Sequence, residues 1–121
     1  MNDYMAIQQT LFDYFDGYVA KDRARLEKAF ATDIAHMMGF EKLEDGSAEL
    51  FSQPISESID RWVNRGDDSA ELTEREILSL HLFGEDGATV VFNFGGKYLD
   101  NLQLAKIDGS WKIVNKFFVE Q

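Results

Sequence analysis

The chain has 121 residues, carries no cysteine and has a formal net charge of −10. That charge repels phosphates and anionic membranes, so nucleic acid and membrane are not expected partners. The missing cysteine excludes a disulfide scaffold, a thiolate metal site and a cysteine nucleophile, and it fits a reducing compartment.

Residues 3–20 read as the first helix. Tyr4, Ile7, Leu11, Tyr14, Phe15 and Tyr18 recur at three- and four-residue spacing, one wide apolar stripe. Asn2 or Asp3 supplies the N-cap. Asp22 opens a short second helix over residues 23–30, with Leu26, Ala29 and Phe30 on its buried side. Thr32-Asp33 is a turn. Residues 34–40 then alternate as a strand, with Ile34, His36, Met38 and Phe40 on one face.

Residues 41–47 carry charge and Gly46 and read as an exposed loop or short hairpin. A third helix is expected from about Ser52, with Pro54 in its first turn, where a missing N–H costs nothing. Ile55, Ile59, Trp62 and Val63 form its apolar stripe, and Gly66 ends it. Residues 67–70 read as a loop.

From residue 71 the period changes from 3.6 to 2. A long strand over 71–83 has Leu72, Leu78, Leu80 and Leu82 of one parity and Ile77, Ser79, His81 and Phe83 of the other. Ala88 to Phe94 is the next strand, and Gly95-Gly96 turns the chain. Tyr98 to Ile107 and Ser110 to Val119 flank Asp108-Gly109, a strong hairpin signal because glycine accepts positive φ without a steric penalty. Tyr98, Asp100, Leu102 and Leu104 share one parity. Trp111, Ile113, Asn115 and Phe117 share the corresponding one on the last strand.

The expected order is α-α-β-α-β-β-β-β, a single domain over residues 1–121, with early helices covering one face of a mostly antiparallel sheet. That is an α+β fold. Ile77, Phe83, Val114 and Phe118 fall on the other face. Their apolar surplus predicts a homodimer through the sheet. With no apolar run near the ~20 residues of a membrane span and no leader pattern, a cytoplasmic protein is expected.

These residues together resemble the nuclear-transport-factor-2-like superfamily, nearest its SnoaL-like and lumazine-binding branch. The resemblance spans nearly the whole chain. It rests on Leu11, Tyr14 and Tyr18, on Lys21-Asp22 through Leu26, Ala29 and Phe30, and on Asp33. It continues through Ile77-Leu78-Ser79-Leu80 and Leu102, Leu104 and Lys106, and closes with Asp108-Gly109, Trp111, Lys112, Ile113 and Val114. All are fold motifs rather than chemical ones. The resemblance implies a cystatin-like cone, a curved sheet closed by helices around a cavity. It implies no single function, because the superfamily holds isomerases, dehydratases, cyclases and binding modules.

If Leu102 and Leu104 face the cavity, Asp100 and Tyr98 face it too. Tyr14, Tyr18, Trp62, Phe92, Phe94, Asn115 and Phe117 then become lining candidates, with His36, Met38 and Phe40 from the first strand. An apolar pocket with few polar groups is the usual form of a small-molecule site, so an aromatic or lipophilic ligand is expected. The alternative, as the resemblance implies, is acid–base chemistry by His36 and Asp100, with Tyr14 or Tyr18 polarising a carbonyl. A structural dimer with a filled cavity is the second alternative. On these readings Asp100→Asn is expected to change ligand binding or turnover and leave the fold intact. No cofactor or metal is expected: the two histidines are far apart, and Gly95-Gly96 lies between strands rather than before a helix.

Overall fold

The computed structural model describes residues 2–66 and 72–121. The loop expected at 67–70, and residue 71 at the start of the long strand, lie outside the described residues.

Helix α1 (Asp3–Ala20) begins at Asn2, whose side chain accepts the Met5 N–H at 2.9 Å. Its stripe buries Ile7, Leu11, Tyr14 and Phe15, while Tyr4 overhangs the core and stays exposed. Gly17 has a packing reason. A Cβ there would come within 3.1 Å of the Leu26 side chain and 3.2 Å of the Leu26 backbone, so glycine lets α2 (Arg23–Ala29) lie close against α1. Asp22 caps α2 by accepting the Arg25 N–H.

A strand that the sequence did not show follows. β1 (His36–Lys42) turns back into β2 (Ala48–Pro54), and Ser52, expected inside a helix, pairs with Met38 in this ladder. The physical reason is twofold. A residue before proline is pushed out of the α region, which keeps Gln53 extended. β2 is also an edge strand with few buried side chains, so it leaves little alternation to read. Helix α3 (Ile55–Val63) starts only after Pro54.

Strands β3 (Arg75–Phe83), β4 (Gly87–Phe94), β5 (Tyr98–Ile107) and β6 (Ser110–Glu120) form the antiparallel meander. β1 joins β6 in parallel, giving one mixed sheet in the order β2-β1-β6-β5-β4-β3. The three helices pack on one face of it. The fold is α+β, as expected, with one strand more than the sequence order predicted.

Two β-bulges decide which residues reach that face. On β6, Leu104 pairs with Ile113 but Gln103 pairs with Asn115, so Val114 is an extra residue. On β3, Ile77 pairs with Phe92 but Ser79 pairs with Val91, so Leu78 is extra. An extra residue inverts strand parity beyond it. Trp111 and Ile113 therefore face inward together with Lys116 and Phe118, not with Asn115 and Phe117. Likewise Ile77 joins Leu80 and Leu82 against the core, while Leu78 is exposed. The surplus of outward apolar residues read at Ile77 and Phe118 is thus corrected. Phe83 does face outward as read, and Leu78, Met38, Phe40, Phe117 and Val119 are exposed as well; the Phe40 and Phe117 rings stand 6.2 Å apart.

Candidate functional site

The inner sheet face and the helices enclose a small pocket of about 100 Å³. Its floor is made by the buried Tyr14, Phe94, Asp100 and Lys116, with Met37 beside them. The half-buried rings of Tyr18, Trp62, Tyr98 and Phe118 form its mouth.

Asp100 is the centre of the floor. It sits between Phe92 and Phe118 in the cross-strand row and is 1 % exposed. The Tyr14 hydroxyl donates to its Oδ2 at 2.7 Å. Lys116, opposite Leu102 on β6, brings Nζ to 3.4 Å from Oδ1. That contact is an ion pair without hydrogen-bond geometry, and Oδ1 is a buried oxygen with no hydrogen-bond partner among the described residues. Among the described residues the Lys116 charge is what offsets the solvation this oxygen loses on burial, and buried acceptors without a hydrogen bond are rare in native structures.

Lys116 is as unusual. Its Nζ lies 4.3 Å from the Phe118 ring centroid, 5.8 Å from Trp62 and 5.9 Å from Tyr14. Burial pulls its pKa below the ordinary lysine value, and the Asp100 charge opposes this without cancelling it. Tyr14 is held well above the ordinary phenol value, first by burial and then by the charge and hydrogen bond of Asp100. It therefore stays a protonated donor across the physiological range.

Gly39 builds one wall. A Cβ at this position would fall 2.1 Å from the Phe118 ring, so the ring lies directly over the glycine backbone. Phe118 is held there by the edge-on rings of Tyr98 and Phe51.

The residues named from the sequence divide cleanly. Tyr14, Tyr18, Trp62, Phe94, Tyr98 and Asp100 come together at the pocket. Phe92 lies in the core beneath, packed on Tyr14, Phe15 and Phe94. Met38, Asn115 and Phe117 point to the outer face, where Asn115 donates to Gln103. His36 is outside as well. It pairs with Asn115 across the β1–β6 ladder, is exposed, and has the Ile34 carbonyl 3.2 Å from its Nδ1. The pairing of His36 with Asp100 is therefore not realised: strand alternation puts Met37, not His36, on the inner face. Lys116, Met37 and Phe118 were missed. Lys116 was legible as a charge inside the apolar run of the last strand, but the bulge at Val114 hid its direction. Among the described residues no three His, Asp or Glu side chains converge as a metal site would require, and no helix is long and apolar enough to cross a membrane.

A curved six-stranded sheet, three helices on its concave face and a pocket at one end define a nuclear-transport-factor-2-like domain. The chain belongs to the family described as "Putative lumazine-binding", whose model matches residues 2–119. It is 25% identical over 130 residues to scytalone dehydratase Arp1 of Aspergillus fumigatus, a match covering 92% of this chain and 77% of that one. Among solved structures it is similar to a nuclear-transport-factor-2-like protein of unknown function from Shewanella baltica. That likeness has a TM-score of 0.80 at 24% identity, over 98% of this chain and 94% of the other. A domain with a cystatin-like fold from Nostoc punctiforme shares the architecture at a TM-score of 0.69 and 15% identity, over 98% and 77%.

Proposed function

We propose that this single domain binds a small, neutral, flat molecule in the Asp100–Lys116 pocket. The observation that carries this reading is the buried Asp100 Oδ1, which has no hydrogen-bond partner among the described residues and faces the pocket beside the Lys116 ammonium, 3.4 Å away. A ligand completes both if it brings a donor to Oδ1 and an acceptor to Nζ on one edge. The carboxylate and ammonium cancel in charge, which favours a neutral guest. The ring-lined walls favour an aromatic one. The volume suits one ring, or the polar end of a larger molecule whose remainder lies in the mouth. A cyclic amide fits this description, and the lumazine of the family's description carries N–H and C=O groups side by side.

Calorimetric titration with lumazine and simpler cyclic amides tests the reading. Binding by the wild type, weakened at least tenfold in Lys116→Met or Asp100→Asn proteins that remain folded, is expected. Failure of every member of such a panel to bind the wild type would discard it.

A second reading is favoured by the similarity to a dehydratase. Asp100 Oδ1 accepts a proton from the carbon next to a carbonyl, and Lys116 stabilises the charge that develops on the carbonyl oxygen. In a β-hydroxycarbonyl compound so activated, the electron pair forms the C=C bond, the C–O bond breaks, and the hydroxyl takes the proton back from Asp100 and leaves as water. Asp100 keeps the role the sequence suggested, and Lys116 takes the place of His36. Appearance of the enone absorbance, abolished by Asp100→Asn, distinguishes turnover from binding.

For assembly we infer a homodimer through the outer sheet face, supported by exposed Met38, Phe40, Phe117 and Val119. Sedimentation as a monomer at micromolar concentration would refute it. A chain without cysteine agrees with a cytoplasmic setting.

A further inference from the structure

Lys116 is more than a charge balance for Asp100. The geometry points to its amine as a carbonyl-trapping nucleophile, condensing with a small aldehyde or ketone in the pocket to form an imine. This rests on the reading above, that the pocket admits a small molecule, and it names a chemistry for the same floor.

Three features combine. The amine lines the pocket at 6 % exposure, so a guest entering past the half-buried rings meets it. Among the described residues its charged neighbour is Asp100. The other titratable groups lining the pocket are the phenols Tyr14 and Tyr18 from α1 and Tyr98 from β5, and Met37, Trp62 and Phe118 from the remaining walls do not titrate. Burial also holds the ammonium below the ordinary lysine pKa, which raises the fraction of free amine at neutral pH.

The orphan Oδ1 supplies the proton traffic. It takes one proton from the Lys116 ammonium across the 3.4 Å gap. The nitrogen lone pair attacks the carbonyl carbon, a C–N bond forms, and the C=O π pair moves to oxygen. A nitrogen proton passes to that oxygen and gives the neutral carbinolamine. Asp100 then returns its proton to the hydroxyl, the C–O bond breaks, water leaves, and the nitrogen lone pair closes the C=N bond. Ammonium plus carbonyl has become iminium plus water, and the iminium cation stands where the ammonium stood, beside the restored carboxylate. Tyr14, bonded to Oδ2, keeps the carboxylate turned so that Oδ1 faces the amine throughout.

The test is reductive trapping on the wild-type protein. Benzaldehyde and cyanoborohydride are added at neutral pH, and the modified lysines are mapped by peptide mass spectrometry. The first benzyl group is expected on Lys116, at least about tenfold faster than on any exposed lysine, because the pocket holds the aldehyde beside its amine. Its labelling should also level off at lower pH than theirs. Benzyl groups spread over exposed lysines with Lys116 unmodified would overturn the inference. The melting temperature with benzaldehyde but no reductant separates the two readings. A rise with Lys116 unmodified defeats the imine and leaves the binding site standing. No rise and no label defeats the imine, and the cyclic-amide titration then decides the binding site by itself.

Discussion

The two ends of the concave face are built from the same sheet under the same helix, yet they are finished differently. At one end Ala88, Val90, Leu104 and Ile113 meet Ile7, Leu11 and Leu26, all at 2 % exposure or less. The end is closed off by the buried Trp111, whose indole donates to Asp3 and whose carbonyl accepts from Thr10. Among the described residues no buried side-chain polar atom there lacks a partner. At the other end a carboxylate and an amine are buried among aromatic rings, one carboxylate oxygen is unbonded, and a cavity remains. Burying an ion pair seldom improves stability over well-packed apolar residues. The contrast teaches that the first end holds the fold together, while the second bears a stability cost that a bound molecule would explain.

The sharpest way to break this comparison is at Asp100. Asp100→Ala leaves the Lys116 ammonium buried without a counter-ion and should destabilise the protein by about 3–5 kcal/mol in denaturant unfolding. Asp100→Leu combined with Lys116→Met should recover most of that loss while abolishing ligand binding. Should the double variant be as unstable as the single one, the pair serves packing rather than function. This also revises the expectation that Asp100→Asn leaves the fold untouched: with Lys116 beside it, neutralising Asp100 carries a stability cost.

At the filled end, Ile113→Ala should cost about 2–5 kcal/mol by opening a cavity, with no separate effect on the pocket. Equal unfolding midpoints for this variant and the wild type would contradict the close packing assigned there.

The wall of the pocket is tested by Gly39→Ala. The new methyl displaces the Phe118 ring, costing about 1–3 kcal/mol as overpacking and altering affinity. Unchanged binding would remove Phe118 from the mouth.

Alkaline pH separates the two buried titrating groups. The lowered Lys116 pKa means the unfolded chain holds the lysine proton more tightly, so this group's contribution grows as pH rises toward the ordinary lysine value near about 10. The raised Tyr14 pKa works oppositely: its contribution is complete below about 10 and is lost at higher pH. In Tyr14→Phe the alkaline loss of stability should shrink, and in Lys116→Met the rise before it should flatten. Chemical denaturation across that range reads both.

The smallest effect is expected at His36. His36→Ala on the outer face should stay within about 0.5 kcal/mol of wild type and leave binding unchanged. Any marked loss of binding would reinstate the residue and break the distinction between faces.

Much of this was legible before the structure. The stripes of α1 and α3, the Asp108-Gly109 turn and the parity of β5 each follow from local rules, and they placed Tyr14, Tyr18, Trp62, Tyr98 and Asp100 at one site. β2 escaped because an exposed edge strand has little apolar alternation. Lys116 and Phe118 escaped for a different reason. A single extra residue at Val114 turns every later side chain of β6 to the other face, and no local pattern marks where that residue is inserted.

By itself, then, the sequence determined the class of fold, the helix faces and Asp100's place in the concave row, because hydrophobic period and turn chemistry act over a few residues. Only the tertiary structure decided that Asp100 meets Lys116 rather than His36. That choice depends on strand register and two bulges, which are settled by packing between elements distant in the chain.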